Sequence, residues 1–248
     1  MKSDEARQLG EELGKSIRNG NITQAWQLLD PILSTKTPFH MLDRIASATW
    51  NETGQTTLAG LDAFSDLLRN GRSMGGWVII AGILNGLTSE DLEGALNRAK
   101  ETIIFADVWY ATDILGERVP GPALVNRFEQ AMSLLSPWRS DNNAWVRRTV
   151  GVAIHFWAKR CRATPDRAQQ LMTFLEPMLA EKHTETIKGV GWGLKTLGRY
   201  YPEHLTIWLG RRLEENELRP RALLIRKATT YLPTPNQQNI LRAYSHAD

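Results

Sequence analysis

Apolar residues recur along most of the chain at the three- and four-residue spacing of an amphipathic helix, whereas alternating runs of β-branched residues are scarce. Short segments rich in Gly, Pro, Ser, Thr or Asn interrupt this pattern, among them RNGN, NETGQ, ERVPGP and RATPD. One of them carries helix-start chemistry, because Thr164 can cap a helix whose first residue is Pro165. The pattern predicts an all-α protein of about a dozen helices joined by short connections.

A second regularity repeats at intervals of about 40 residues. Val108, Val146, Ile187 and Ile225 each open a similar stretch, in which an aliphatic residue precedes a large polar or aromatic one and a small residue usually follows. The intervals between them are 38, 41 and 38 residues. Such a period is typical of HEAT and armadillo repeats, whose helix pairs stack because one pair cannot bury its apolar face alone.

The repeat predicts a single all-α domain over residues 1–248, a right-handed solenoid of HEAT/ARM-like helical repeats with a concave basic groove. The repeats are clearest over residues 100–235, and residues 1–99 are expected to form atypical N-terminal helices. An irregular helical domain with a chance similarity between the four stretches is the alternative interpretation.

Charge is distributed unevenly along the chain. Residues 1–123 contain 11 Lys and Arg against 16 Asp and Glu, whereas residues 124–248 contain 19 against 11. A basic half attracts phosphate backbones, although many basic faces are simply solvated. The bias therefore makes nucleic acid a candidate partner without establishing it.

Cysteine content and hydropathy indicate the compartment. Cys161 is the only cysteine, so no internal disulfide can form, and we expect it to be a small buried residue. The charged N-terminal segment lacks the apolar core of a signal peptide, and no stretch reaches the roughly 18 to 20 apolar residues of a membrane span. We expect a cytoplasmic protein that does not enter a membrane.

The repeat register collects an unusual mixture of indoles, cations and one carboxylate on a single surface, from the positions that follow the repeated aliphatic residues and from positions one helical turn further on. The members of this set are Trp109, Arg147, Lys188, Arg226, Asp113, Trp192 and, at its edge, Arg148. Cations neutralise phosphates and indoles offer flat apolar surface to sugars and bases, so the set suits DNA. A carboxylate is disfavoured beside phosphates unless it has a task, which makes Asp113 the candidate catalytic residue.

The chain resembles the HEAT-like-repeat DNA alkylation repair glycosylases, the AlkD-like family, in four stretches within residues 100–232: VWYATD, NAWVRR, IKGVGWGL and LIRKA. The first signature of this family is a Trp-Trp-Asp-x-Val-Asp run. Trp109 stands at its second tryptophan and Asp113 at its final aspartate. Arg148 matches an arginine that follows an Asn-x-Trp element, and Trp192 matches the tryptophan of an Ile-Gly-Trp element.

The resemblance implies a DNA glycosylase that hydrolyses the N-glycosidic bond of cationic N3- or N7-alkylated purines in duplex DNA, with Asp113 catalytic and with Trp109 and Trp192 packed beside the lesion. The chemistry is consistent with this, because an alkylated purine already carries a positive charge and leaves with little protonation. One carboxylate can then stabilise an oxocarbenium-like sugar and position a water molecule. We expect a monomer that needs no metal and no other cofactor.

The roles of the cations stay open at this point. Of Arg147 and Arg148, one is expected to face the groove and the other to pair with an acid; the resemblance favours Arg148 for the groove, and the register favours Arg147. Lys188 and Arg226 are either phosphate contacts or simply solvated. The five histidines show no i, i+4 pair and no metal-ligand grouping, so no metal site is expected.

The first signature departs from the family pattern at three positions. Val108 replaces the first tryptophan, Tyr110 the first aspartate and Thr112 the valine. These departures favour a second hypothesis, a non-catalytic HEAT-repeat binder of damaged or branched DNA, whose binding would depend on salt and release no base. A helical-repeat protein–protein scaffold is the third hypothesis, and it predicts no DNA affinity at physiological salt.

Overall fold

The computed structural model describes residues 1–54, 58–215 and 220–246 of the chain. These residues form fifteen α-helices and short 3-10 turns, and they contain no strand. The all-α prediction is therefore confirmed. The chain divides into two compact units, Met1–Val119 and Pro120–Asp248. That the two belong to one domain stays a prediction.

The described residues of the first unit form seven helices in two rows. These are α1 (Ser3–Arg18), α2 (Ile22–Leu33), α3 (Phe39–Thr53), α4 (Leu58–Gly71), α5 (Met74–Leu87), α6 (Leu92–Ala106) and α7 (Trp109–Arg118). Helices α1, α3, α5 and α7 lie side by side in one row, and α2, α4 and α6 form the other. This alternation of two layers is that of stacked helical hairpins.

The repeat of the first unit is shorter than the period found in the sequence. Its first-row helices begin at residues 3, 39, 74 and 109, so one repeat takes 35 or 36 residues. The sequence stretches further along the chain are 38 to 41 residues apart. The N-terminal hundred residues therefore follow the same helix-pair pattern at a shorter period.

Helix α5 is the central apolar helix of the first unit. Ser73 starts it by accepting a hydrogen bond from the backbone N–H of Gly76 at 3.0 Å. Most of its residues up to Leu87 are buried. Gly82 lets α3 approach closely, because an added Cβ there would lie 2.5 Å from the Cβ of Ala46. Helix α7 packs against α5 in the same row. The position of α7 is therefore set by a well-packed neighbour.

The described residues of the second unit form eight helices in the same two-row arrangement. These are α8 (Pro120–Asn126), α9 (Phe128–Leu135), α10 (Ala144–Arg160), α11 (Pro165–Leu175), α12 (Thr184–Tyr200), α13 (Pro202–Glu214), α14 (Ala222–Ala228) and α15 (Thr234–His246). Helices α8, α10, α12 and α14 form one row, and α11, α13 and α15 pack in sequence in the other. Each unit thus has the helix pairing of a helical-repeat protein.

The repeat register is confirmed within the second unit. Val146, Ile187 and Ile225 lie on α10, α12 and α14, three adjacent helices of one row, and all three are buried. The residues that follow them along the chain therefore hold equivalent positions on neighbouring helices.

Helices α10 and α12 form the most closely packed pair of the second unit. Gly151 of α10 lies against the backbone of Gly189 on α12. An added Cβ at Gly189 would lie 2.5 Å from the carbonyl oxygen of Arg148. The two helices can approach this closely only because neither position carries a side chain, and this approach sets the distance between the residues that the two helices present.

Three observations concern the predicted compartment and metal chemistry. Within the described ranges, no helix combines the length and the apolarity that a bilayer span requires. In the same part of the chain, no three His, Cys, Asp or Glu side chains gather so that they could hold a metal ion. Cys161 is half-buried rather than buried, because it lies where the chain leaves α10.

Candidate functional site

The first signature stretch begins with a sharp turn between α6 and α7. Asp107 ends α6 in the left-handed conformation, with φ 50° and ψ 41°, which aspartate tolerates better than most residues. Val108 is extended, and α7 begins at Trp109. As the first residue of the helix, Trp109 is 55% exposed, which is unusual for the largest apolar side chain. The turn therefore presents an indole to solvent.

Asp113 lies one helical turn after Trp109, so the indole and the carboxylate share one face of α7. Asp113 is half-buried, between the buried residues Thr112 and Ile114. The hydroxyl of Thr112, which stands at the valine position of the family signature, donates to the carbonyl of Val108 at 3.0 Å. The hydroxyl that this departure introduces is therefore hydrogen-bonded within the helix, and the exposed face of α7 is unchanged.

Tyr110 occupies the position of the first acid of the signature. Its ring meets the indole of Trp109 edge to face, with the centroids 5.8 Å apart and the planes at 86°. Such a contact restricts the orientation of the indole. The aromatic replacement therefore supports Trp109 from one side, while Asp113 is the carboxylate that the signature stretch retains.

In the second unit, the buried Arg148 and the half-exposed Lys188 share one carboxylate. The Arg148 guanidinium donates from Nη1 to the carbonyl oxygen of Glu185 at 3.1 Å and to its Oε2 at 3.2 Å. The ammonium of Lys188 pairs with Oε1 of the same glutamate. Arg148 is only 6% exposed, so its charge is placed in the interface between α10 and α12.

Arg147 is held by a different acid. Its Nε and Nη2 donate to the two carboxylate oxygens of Glu181 at 2.7 and 3.3 Å, and its Nη1 donates to the carbonyl of Asp141 at 2.7 Å. Burial acts to raise the pKa of Glu181, but the bonds from Arg147 and from the backbone N–H of His183 outweigh it and lower this pKa. Both arginines thus have a carboxylate partner, whereas the sequence predicted a partner for only one.

Trp192 on α12 is stacked on His155 of α10. The ring centroids are 3.9 Å apart, and the planes are inclined by 27°. The Nδ1 atom of His155 is 2.7 Å from the hydroxyl of Thr196, so a second contact fixes the imidazole. Burial, and then the charges of Lys159, Arg160 and Lys195, lower the pKa of His155 to about 4. The indole therefore rests on a neutral ring at physiological pH.

Positive charge accumulates around α12 and α14. Arg226 is exposed, and its neighbour Lys227 is half-buried. Burial lowers the pKa of Lys227, and so do the charges of Lys195, Arg148, Lys188 and Arg226. A lysine whose pKa is lowered by other cations marks a region where positive charge exceeds negative charge.

Within each unit, the structure brings part of the predicted set together. Trp109 and Asp113 share α7 in the first unit, while Arg148 and Lys188 meet at Glu185 in the second. Sequence reasoning missed His155 and Lys195. Lys195 follows Lys188 by seven residues, two turns along the same helix face, and this spacing could have identified it.

Comparison with known families identifies the family of the chain. Residues 79–232 match the family model described as DNA alkylation repair enzyme. This segment includes α7, α10, α12 and α14, the helices that carry the predicted site residues. Comparison with curated proteins and with solved structures gives no significant match. Because the matched segment spans more than half of the chain, the chain belongs to the family of DNA alkylation repair enzymes.

Proposed function

We propose that the protein is a DNA glycosylase that hydrolyses the N-glycosidic bond of cationic N3- or N7-alkylated purines in duplex DNA. One observation carries the proposal: α7 presents the exposed indole of Trp109 one turn away from the carboxylate of Asp113. Family membership supplies DNA alkylation repair as the setting, and this pair of side chains supplies the chemistry.

Asp113 is the proposed catalytic carboxylate. An N3- or N7-alkylated purine is cationic, so the bond to the sugar breaks as the base leaves in neutral form and the positive charge passes to the sugar. A carboxylate beside the sugar stabilises this charge and orients the water that attacks C1′. The charge on the leaving base does what a proton or a metal ion would otherwise do, so we propose that the reaction needs no cofactor.

Trp109 is the proposed packing surface for the sugar and backbone of the damaged nucleotide. An indole covers a large apolar area and excludes water, which strengthens the electrostatic effect of a neighbouring carboxylate. The edge-to-face contact with Tyr110 holds this indole in place. Removing the ring is therefore expected to slow base release without removing the carboxylate chemistry.

The second unit supplies the other proposed DNA contacts. Trp192, fixed by its stack on His155, is a packing surface, and Lys188 and Arg226 contact phosphates. We expect Arg147 and Arg148 to contribute less to DNA affinity, because Glu181 and Glu185 already bind their guanidinium groups. We propose that the protein acts on duplex DNA as a monomer.

The test is the release of free 3-methyladenine and 7-methylguanine from methylated duplex DNA. The wild-type protein is expected to release at least one of these bases, and Asp113→Asn is expected to lose release while keeping DNA binding. Asp107→Asn is the matched control: it makes the same chemical change six residues earlier, and asparagine also tolerates the left-handed turn. Release by Asp113→Asn at the wild-type rate would remove the proposed mechanism.

A second candidate function is a binder of damaged or branched DNA without glycosylase activity. The observation that favours it is Tyr110, an aromatic residue at a position where the family signature has an acid. It predicts salt-dependent DNA binding by the wild-type protein with no release of any base. The same assay, run beside a binding measurement, distinguishes the two functions.

A further inference from the structure

A continuous row of alternating cations and tyrosines lies outside the predicted site, in the second unit. The Nζ of Lys195 is 4.3 Å from the ring centroid of Tyr231, and the guanidinium of Arg199 is 5.2 Å from the same ring. Arg199 is also 5.8 Å from the ring of Tyr200, over which Arg162 lies at 4.6 Å. We call these five residues the ladder.

The ladder crosses one end of the row formed by α10, α12 and α14. Arg162 follows the end of α10 and donates from Nε to the carbonyl of Lys159 at 3.0 Å. Arg199 and Tyr200 belong to the last turn of α12, and Tyr231 follows α14. The carbonyl ends of helices favour cations. The positions of Arg162 and Arg199 at two such ends therefore suit their positive charge.

The cations of the ladder differ from Arg147, Arg148 and Lys188 in what they contact. Among the described residues, Lys195, Arg199 and Arg162 form no ion pair, and each lies over the face of an aromatic ring. A ring face orients a cation through its quadrupole but does not neutralise its charge. These three charges therefore remain available to an anion, unlike those of Arg147 and Arg148.

The ladder continues the predicted DNA contacts along one helix face. Lys188, Trp192, Lys195 and Arg199 follow one another at intervals of four, three and four residues on α12, which places them in a single stripe. The stripe leads from the ion pair with Glu185 to the exposed end of the helix. There Tyr231 is 45% exposed.

We propose that the ladder binds the sugar–phosphate backbone of duplex DNA, as a contact of the second unit separate from Lys188 and Arg226; this rests on DNA being the substrate of the proposed function. Lysine, arginine and tyrosine all bind phosphate oxygens. Ring contacts hold the cations in place in advance, so less side-chain freedom is lost when a phosphate binds. The contact is independent of base sequence.

The test is the salt dependence of binding to an unmodified duplex oligonucleotide. Each phosphate contact contributes about 0.9 to the slope of log affinity against log salt concentration. The double variant Lys195→Gln/Arg199→Gln is expected to lower this slope by about two and to bind more weakly at low salt. Arg167→Gln is the matched control, because Arg167 lies 4.8 Å from the ring of Phe128 but starts from α11, in the other row of helices.

Two further results separate a binding role from a structural one. Lys195→Arg keeps the charge and is expected to keep the wild-type slope. An unchanged slope in the double variant, or an equal loss in Arg167→Gln, would overturn the proposal, as would a wild-type protein that does not bind duplex DNA.

Failure of the ladder and failure of the proposed function are distinguishable. If the wild type binds DNA but releases no base, the proposed glycosylase activity is wrong, and the salt slopes still decide for or against the ladder. If base release is seen and the slopes are equal, only the ladder fails.

Discussion

The second unit holds two groups of cations that sequence alone does not distinguish. The paired group consists of Arg147, Arg148 and Lys188, whose charges meet the carboxylates of Glu181 and Glu185. The cations of the ladder meet aromatic rings instead. The difference teaches that the partner and the burial of a basic side chain, more than its place in a repeat, decide whether its charge stabilises the fold or remains available to DNA.

The largest expected effect concerns the buried member of the paired group. Arg148→Ala removes a cation that is 6% exposed and connects α10 to α12 through Glu185. Removing one partner of a buried ion pair costs about 3 to 5 kcal/mol of unfolding free energy. Urea denaturation of the variant measures this loss.

Lys188→Ala is the control, because Lys188 pairs with the same glutamate from a half-exposed position. Exposed pairs contribute less than about 1 kcal/mol. An equal loss in both variants would show that burial does not separate the two cations, and the distinction within the paired group would be wrong.

The second prediction concerns the close approach of α10 and α12, the two helices that Arg148 and Glu185 join. Gly189→Ala places a Cβ 2.5 Å from the carbonyl oxygen of Arg148, a backbone atom that cannot move aside alone. Overpacking of this kind costs about 1 to 3 kcal/mol, measured as a lower urea midpoint. Gly210→Ala is the comparison variant, since its Cβ would meet Ile240 at an ordinary 3.8 Å, and it is expected to be neutral or stabilising.

The fold was predictable where buried aliphatic residues recur at the period of the helical repeats. Val146, Ile187 and Ile225 mark the second unit correctly because each is the buried aliphatic residue of a helix in one row. Val108, the repeated residue that belongs to the first unit, is instead half-buried and precedes α7. The first-row helices of this unit begin every 35 or 36 residues. A period of 38 to 41 residues does not fit these helices.

The candidate site was predictable where spacing along one helix decides it. Trp109 and Asp113 share a face because four residues make about one turn. The partner of Arg148 was not predictable, because Glu185 lies 37 residues further along the chain on another helix. The same reason hid the ladder, in which Lys195 and Tyr231 belong to neighbouring repeats.

The third prediction concerns the support of Trp192. Folding lowers the pKa of His155 to about 4, whereas in the unfolded chain this histidine has its ordinary pKa of about 6.5. As the pH falls, the unfolded chain therefore binds a proton at His155 before the folded protein does. Stability therefore falls as the pH decreases from 6.5 towards 4, by at most about 1.4 kcal/mol per pH unit for one proton. Above pH 6.5 His155 is neutral in both states, so its titration no longer lowers the free energy of unfolding.

His155→Phe keeps an aromatic ring in the stack and removes the titration. The difference in unfolding free energy between the wild type and this variant is expected to change between pH 4 and 6.5 and to be constant above that range. A difference that stays flat from pH 4 to 8 would show that His155 is not held neutral by its surroundings.

The smallest expected effect tests the Arg147 pair. The pKa of Glu181 is lowered in the folded state, so its contribution is present above the unfolded pKa of about 4.3 and is lost as the pH falls through the lower folded value. Relative to Glu181→Gln, the wild type is expected to be more stable by about 1 kcal/mol at pH 7. Urea denaturation at pH 7 and pH 3 should show this advantage shrinking; an advantage as large at pH 3 would mean that the carboxylate charge plays no part.

The most direct test of the central claim is a double-mutant cycle on α7, measured as the single-turnover rate of base release from a duplex with one 7-methylguanine. Asp113→Asn is expected to slow release at least about 100-fold, as the loss of a group that stabilises transition-state charge does. Trp109→Ala is expected to slow release less, and the double variant no more than Asp113→Asn alone, because residues that act as one unit are not additive. Losses that simply multiply, or an unchanged rate in Asp113→Asn, would contradict a joint role of the indole and the carboxylate.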